Sequence, residues 1–579
     1  MKRNLTTLFL SFLMFVPLFG QKLEKEVTYD PPSLTKDSYI GNVSYDPSTE
    51  VTALTYVEKD MFKTKFKTYS FDKDLKFIKE DVKIYTFGDA WRDAMKELRE
   101  SFQWFRYRGE EYTREWIDIR QSMFGGKIIA EKKKATWKYS WFWGGYVPHY
   151  EPTQQVKIKS ETDDKIYLYD HVVNTTTGDA YMIVGVKAPK GSKDKKQHAR
   201  KFQIVKLTPE LDVEYLEEFE FKYNMCVSFS QVIYGADADE EDDEYSLADV
   251  ADGGEWYVMF APVKGMSGKD DLNPVKGESQ IIRINSEGKI TGKLDFTAPT
   301  EGWVIKGMVQ SPDKKDYYFF GPAKDGVYID QVASVVSPVV LDNKEKEIKY
   351  KNYQILKVAS GKVAWINSTP LEEFETKASA PPSQKKMPEY EGKNFIRRVT
   401  FITEAGELIL AGQNFTKQLK QDANGNWYTI IRYKDLIMAH FDNQGKLKRA
   451  YGVRRDKMNN YSKSIVTPQS CYITPNGKHL YWIYGEIKGM RQGFSFNFGG
   501  ASVAVSKRKL LYYPAVAKVD LENATIGDFV FLGADAEGKQ VYFTNPSVGE
   551  IMSADGKKLI FVGEDKPGKL VWLAKMAID

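Results

Sequence analysis

Two short elements alternate along this chain, and their alternation restricts the fold more than any other feature. The first is a polar turn followed by a hydrophobic strand ending in Gly. It reads Ser-Pro-Asp-Lys-Lys-Asp-Tyr-Tyr-Phe-Phe-Gly at 311–321 and Thr-Pro-Asn-Gly-Lys-His-Leu-Tyr-Trp-Ile-Tyr-Gly at 474–485. A third copy, Ser-Ala-Asp-Gly-Lys-Lys-Leu-Ile-Phe-Val-Gly, occupies 553–563, and looser copies start at Ser44, Thr175, Asp252 and Thr403. The second element is an alternating strand, a polar or Gly turn, and another strand, as in Ile-Ile-Arg-Ile-Asn-Ser-Glu-Gly-Lys-Ile at 281–290 and Met-Ala-His-Phe-Asp-Asn-Gln-Gly-Lys-Leu at 438–447. Asp or Asn beside Gly suits a tight hairpin, because positive φ is cheap there.

Seven such pairs begin near residues 44, 174, 250, 311, 401, 472 and 551. Each pair is two hairpins, hence four antiparallel strands, which is one propeller blade. The expected fold is therefore all-β: a seven-bladed β-propeller of four-stranded antiparallel blades, with six or eight blades as the alternatives. The last pair lacks its final strand, and residues 24–29 can supply it and close the ring. The pattern breaks over 78–164. Asp89 can N-cap a helix running to about Trp104, with Trp91, Ala94, Met95, Leu98 and Phe102 on one face. Aromatic residues follow, so this region is expected to be a partly helical, aromatic insertion after the first blade. A second break, 378–393, is rich in Ala, Pro, Ser and Lys and reads as an exposed loop. The expected division is a leader over 1–20, a closing strand and first blade over 21–77, the insertion over 78–164, and the remaining blades over 165–579.

The Ser/Thr-Pro-Asp-Gly-Lys turn before an aromatic strand resembles the repeats of TolB-like and WD40-like bacterial β-propellers. The copies at Ser311, Thr474 and Ser553 carry the resemblance, although Lys314 replaces the turn Gly and Ala554 replaces Pro. The resemblance covers about a tenth of the chain and implies a binding or scaffold role. It specifies a fold, not an activity.

The first twenty residues have the form of an export signal: Lys2 and Arg3, an apolar run from Leu5 to Phe19, and Gly20 before the cleavage point. Gln21 stands where a lipoprotein would have Cys, and the run is shorter than the ~20 residues that span a bilayer. The expected location is the periplasm, the cell envelope or the medium, with no transmembrane segment after signal removal. A net charge of +4 on 579 residues gives no field for nucleic acid. Cys226 and Cys471 fall in blades that are not neighbours, so both are expected to be free, buried thiols.

No Gly-x-Ser-x-Gly elbow, His-x-x-x-His pair or phosphate-binding Gly-rich loop is present. No catalytic residue is assigned. Of the five histidines, His440 and His479 fall within repeats and read as structural. The acidic run at 237–244 makes Asp237, Asp239, Glu241 and Asp243 weak candidates for Ca²⁺, although EF-hand spacing fails there; no other cofactor is expected. The segment 137–150 offers Trp137, Trp141, Trp143 and Tyr146 as a binding surface, suited to a protein partner or a glycan. The reading is an exported, non-enzymatic binding or scaffold module for a protein partner in the bacterial envelope. The alternative is a carbohydrate-active hydrolase or lyase with acids on the propeller face, since such acids on separate blades leave no spacing signal.

Overall fold

The computed structural model describes residues 23–31, 38–59, 63–86, 105–108, 111–122, 126–140, 145–174, 177–186, 199–233, 254–263, 275–332, 349–390, 394–422, 425–455, 460–491, 495–498, 501–504, 509–535, 537, 539–544 and 549–578. The leader over 1–20 and the helix expected over 89–104 lie outside them. Among the described residues the chain is all-β, with three short helices at Ile329–Val332, Glu372–Thr376 and Asn460–Ser464.

Among the described residues the strands form mostly antiparallel sheets that group, in chain order, into eight units of about four strands each. Unit 1 is Tyr39–Asp46, Val51–Lys59, Lys63–Phe71 and Phe77–Thr86. Unit 2 is Phe105–Arg108, Glu111–Gln121, Ile128–Ser140 and Gly145–Ile158. A seven-stranded sheet holds units 3 and 4, because its strand Val213–Ile233 serves both. The first part of that strand pairs with Ala199–Leu207 and the part from Met225 onward pairs with Glu255–Pro262. Ile166–Val173 and Ala180–Val186 complete unit 3; Glu278–Asn285 and Ile290–Thr297 complete unit 4. Unit 5 runs from Gly302–Trp303 and Gly307–Gln310 through Asp316–Lys324 and Asn352–Ala359 to Lys362–Pro370. Unit 6 is Phe395–Ile402, Leu408–Gln421, Trp427–Phe441 and Leu447–Val453. Unit 7 is Gln469–Ile473, His479–Arg491 and Lys509–Asp520 with the edge pieces Thr525–Ile526 and Val530–Phe531. In unit 8, Tyr542–Thr544 and Ile551–Met552 pair with Lys558–Asp565, which pairs with Val571–Ala577. The N-terminal strand Leu23–Tyr29 then pairs antiparallel with Val571–Ala577 and becomes the fourth strand of unit 8.

Successive units stack face to face, and the apolar residues that alternate along each strand are buried between them. Ile119, Ile128 and Ala130 of unit 2 meet Leu168, Met182 and Val205 of unit 3. Phe202 and Phe219 of unit 3 pack with Phe260 of unit 4, ring centroids 4.9 and 5.7 Å from it. Equivalent clusters join units 4 and 5, 5 and 6, 6 and 7, and 7 and 8. A further cluster joins the last unit to the first: Ile560, Val562 and Leu573 pack against Leu54, Tyr56 and Tyr69. The first strands of neighbouring units lie side by side; Gly307–Gln310 is beside Phe395–Ile402, which is beside Gln469–Ile473. The arrangement is propeller-like.

Three expectations need correction. The first blade does not end at 77, since Phe77–Thr86 is its fourth strand. The described part of the expected insertion is strand, and residues 105–158 form unit 2. Its pattern was hidden because one sheet face is charged: Lys133 pairs with Asp118 at 2.5 Å and Arg120 with Glu131 at 3.5 Å. The apolar residues Ile117, Ile119, Ile128 and Ala130 occupy the other face. The segment 378–393 is also not wholly loop: Ala378–Ser379 pairs in parallel with Leu447–Val453.

The repeated turns share one geometry. The hydroxyls of Ser311, Thr474 and Ser553 donate to the side-chain oxygens of Asp313, Asn476 and Asp555 at 2.6, 2.7 and 2.6 Å. Each hydroxyl also accepts the backbone N–H five residues on, at 3.0, 3.1 and 2.9 Å. The turn then needs a left-handed residue, which is Gly477 (φ 70°) or Gly556 (φ 67°), but Lys314 (φ 58°) in unit 5. A side chain in that region costs about 1 kcal/mol. Lys314→Gly is therefore expected to raise stability by about 1 kcal/mol, read as a higher denaturant midpoint at unchanged m value.

Candidate functional site

The meander topology gives the stack two unlike rims. Turns joining first to second and third to fourth strands fall on one rim, and the described ones are mostly the tight turns just described. Connections from second to third strands fall on the other rim and include three long ones, over 187–198, 263–277 and 325–351; the first-to-second connection of unit 4, over 234–254, is long as well and falls on the first rim. Two of them continue as strand. In unit 7, His479–Arg491 and Lys509–Asp520 bracket a small hairpin of Ser495–Phe498 and Ala501–Ala504. In unit 6, Leu408–Gln421 and Trp427–Phe441 run on together well past their outer neighbours.

That unit 6 extension is the most exposed apolar feature among the described residues. The first strand of the unit stops pairing at Asn414 and the fourth at Leu436. Beyond them, pairs from Phe415↔Tyr433 to Gln421↔Trp427 form a two-stranded ribbon, roughly 20 Å long at strand rise. Its tip is a tight turn in which Asp422 accepts the Asn426 N–H at 2.8 Å and Gly425 takes φ 85°. Leu419 is 65% exposed and Trp427 64%, with Tyr428 and Ile431 also exposed. One ribbon face carries Phe415, Tyr433, Ile431, Leu419 and Trp427; Tyr428 and Ile430 stand on the other. The base is braced by the Phe415 N–H donating to the Asn394 carbonyl at 2.8 Å and the Gln413 amide donating to the Lys434 carbonyl at 2.9 Å.

A second group of functional side chains lies on first strands. In unit 3 a β-bulge at Tyr169 re-aims the strand, and Asp170 and His171 stand half-buried after it. Asp170 accepts the His171 backbone N–H at 2.8 Å and is held by the Ser230 hydroxyl, which accepts the Trp256 indole N–H at 2.7 Å. Burial pushes the Asp170 carboxyl up and the His171 imidazole down, so both favour their neutral forms. The His171 Nδ1 is buried with no hydrogen-bond partner among the described residues. Between units 7 and 8, Glu550 accepts hydrogen bonds from Ser470 at 2.7 Å and Tyr472 at 3.2 Å, while burial raises its pKa. His440 is structural: it is fully buried, bonded to Glu407 at 2.8 Å, and Lys448 links that same carboxylate to the Leu521 carbonyl of unit 7.

The residues expected to bind fall elsewhere. Trp137 and Tyr146 lie on the paired strands Ile128–Ser140 and Gly145–Ile158, in the register Trp137↔Pro148 and Tyr139↔Tyr146. Their hairpin belongs to the tight-turn rim; Trp141 and Trp143 at its turn lie outside the described residues. So do Asp237, Asp239, Glu241 and Asp243, in the connection between Val213–Ile233 and Glu255–Pro262. Among the described residues no group of three or more His, Cys, Asp or Glu is placed to hold a metal. Cys226 is buried, Cys471 half-buried, and both are free thiols. The ribbon went unnoticed in the sequence, although the Asp-Ala-Asn-Gly-Asn turn at 422–426 between two alternating runs was a hairpin signal.

No family model matches the chain, TolB-like and WD40-like families included, and no curated protein matches it. Among solved structures, the apocarotenoid oxygenase of Synechocystis is 12% identical, with 82% of this chain and 95% of that one covered at a TM-score of 0.27. Virginiamycin B lyase from Staphylococcus aureus is 9% identical, with 81% and 100% covered at a TM-score of 0.19. These likenesses carry no argument about chemistry here.

Glu550 yields a pH test. Its raised pKa means folding favours the protonated form, so its contribution falls as pH rises above the ordinary 4.5. Glu550→Gln keeps an acceptor for Ser470 and Tyr472 but cannot ionise. Its Tm relative to wild type is expected to climb as pH rises above 4.5 and to level off once Glu550 is ionised in the folded state; a constant difference would mean that Glu550 titrates normally.

Proposed function

We propose that the chain is an eight-bladed β-propeller that serves as a binding platform for a protein partner in the bacterial envelope, with the long-connection rim as its working face. The blade count rests on the eight units and on the N-terminal strand completing the last of them. The leader over 1–20 supports the location. The single observation that carries the binding role is the ribbon of unit 6. Leu419, Trp427, Tyr428 and Ile431 are exposed on a projecting element, where burial by a partner gains more than leaving them in water. Trp and Tyr are also the side chains that most often dominate protein interfaces.

A photo-crosslinking residue placed at Trp427 in the native host is expected to yield a discrete protein adduct identifiable by mass spectrometry. The same residue at exposed Asp74, on the tight-turn rim, serves as the control. Adducts of equal yield at both sites, or none at Trp427, would remove the ribbon as the contact.

The second reading, a carbohydrate-active hydrolase or lyase, has one observation in its favour. Asp170 and His171, an adjacent acid and base whose pKa values burial pushes up and down respectively, are the kind of pair used for proton transfer. Wild type and Asp170→Asn, incubated with a panel of envelope polysaccharides, separate the readings. Reducing ends released by wild type and lost in the variant support the enzyme; none from either protein supports the platform.

A further inference from the structure

The ribbon offers more than side chains. Residues 416–421 and 427–432 pair with each other and with no other strand among the described residues. Each strand therefore turns one row of backbone N–H and C=O groups outward. The outward row on the second strand runs along Trp-Tyr-Thr-Ile-Ile-Arg, residues 427–432, a segment rich in β-forming residues. Such an edge is a template for another strand. Between 415 and 434 the ribbon has four cations, Lys417, Lys420, Arg432 and Lys434, against one acid, Asp422, whose carboxylate caps the tip turn.

We propose that the free edge of 427–432 takes up an acidic, extended segment of the partner protein as an added antiparallel strand. This rests on the platform reading above and specifies how the partner is held. Main-chain hydrogen bonds would supply affinity, and the apolar ribbon face with Leu419, Ile431 and Trp427 would receive alternate side chains of the segment. The cations set its charge: a strand ~5 Å from the edge brings its carboxylates within a Debye length of Arg432 and of the lysines one strand further in. A second copy of the chain fits less well, since edge-to-edge pairing would set two cationic ribbons together. A lipid surface fits less well too, because insertion would leave the outward backbone groups unpaired in hydrocarbon.

Hydrogen exchange on the full chain tests this. The probes are capped eight-residue peptides alternating Glu with Val, Thr or Tyr, and matched peptides with Lys in place of Glu. An acidic peptide is expected to slow exchange of the 427–432 amides about tenfold, less so at high salt, and the Lys peptides to leave them unchanged. The protection is expected to vanish in Arg432→Glu/Lys420→Glu, which should keep the wild-type Tm because both residues lie on the ribbon. Equal protection by Glu and Lys peptides, or none by either, overturns strand addition. Protection by anionic phosphatidylglycerol vesicles alone, or a dimer in sedimentation that Ile430→Lys dissolves, overturns it in favour of lipid or of a second copy. If the peptides fail while Trp427 still gives its discrete adduct, the platform stands and only this mode of capture falls. If both fail, the platform falls with it.

Discussion

Burial of sheet faces against one another is the interaction on which everything else in this chain depends. A four-stranded sheet with two apolar faces has marginal stability alone. Here the faces are shared: Phe260 serves the joint of units 3 and 4, Trp482 that of units 6 and 7, and Trp572 that of units 7 and 8, all three fully buried. The N-terminal strand matters for the same reason. Without Leu23–Tyr29 the strand Val571–Ala577 would be an open edge, and Val27 and Tyr29 would no longer cover the joint between the last unit and the first. A core built this way is large enough to hold without disulfides, in keeping with two free cysteines.

Side-chain caps divide the two rims by freedom. On one rim the hydroxyls of Ser311, Thr474 and Ser553 satisfy both an acceptor and a backbone donor, so these turns have one conformation and little spare chemistry. The opposite rim joins second and third strands, where length is unconstrained because both ends are already fixed by the sheet. Long connections cost little there, and the unit 6 ribbon is one that retained regular pairing. Its open edges are a hazard in an isolated protein, and its cations limit that hazard by keeping copies apart.

The polar groups inside the stack divide into clasps and candidates. Glu407 ties His440 and Lys448 together, and Lys448 reaches the next unit, so this set locks two sheets in register. Glu550 does the same with neutral donors. Asp170 and His171 differ. They follow a bulge and leave a ring nitrogen without a partner among the described residues, although Asp170 also reaches Ser230 of the next unit.

Local patterning settled what local physics controls. The Asp-Gly and Asn-Gly turns, the alternating runs and the closing strand near the N-terminus could all be read in sequence, because turn chemistry and period-two burial act within a few residues. Unit 2 could not, since its second face is paired by charges rather than apolar side chains and so reads as part of an aromatic insertion. The eighth unit, the sharing of Val213–Ile233 between two sheets and the outward row of 427–432 are matters of pairing. Which strands find a neighbour on each side is decided by the whole stack. That is why the ribbon stands out only once its missing neighbours are visible.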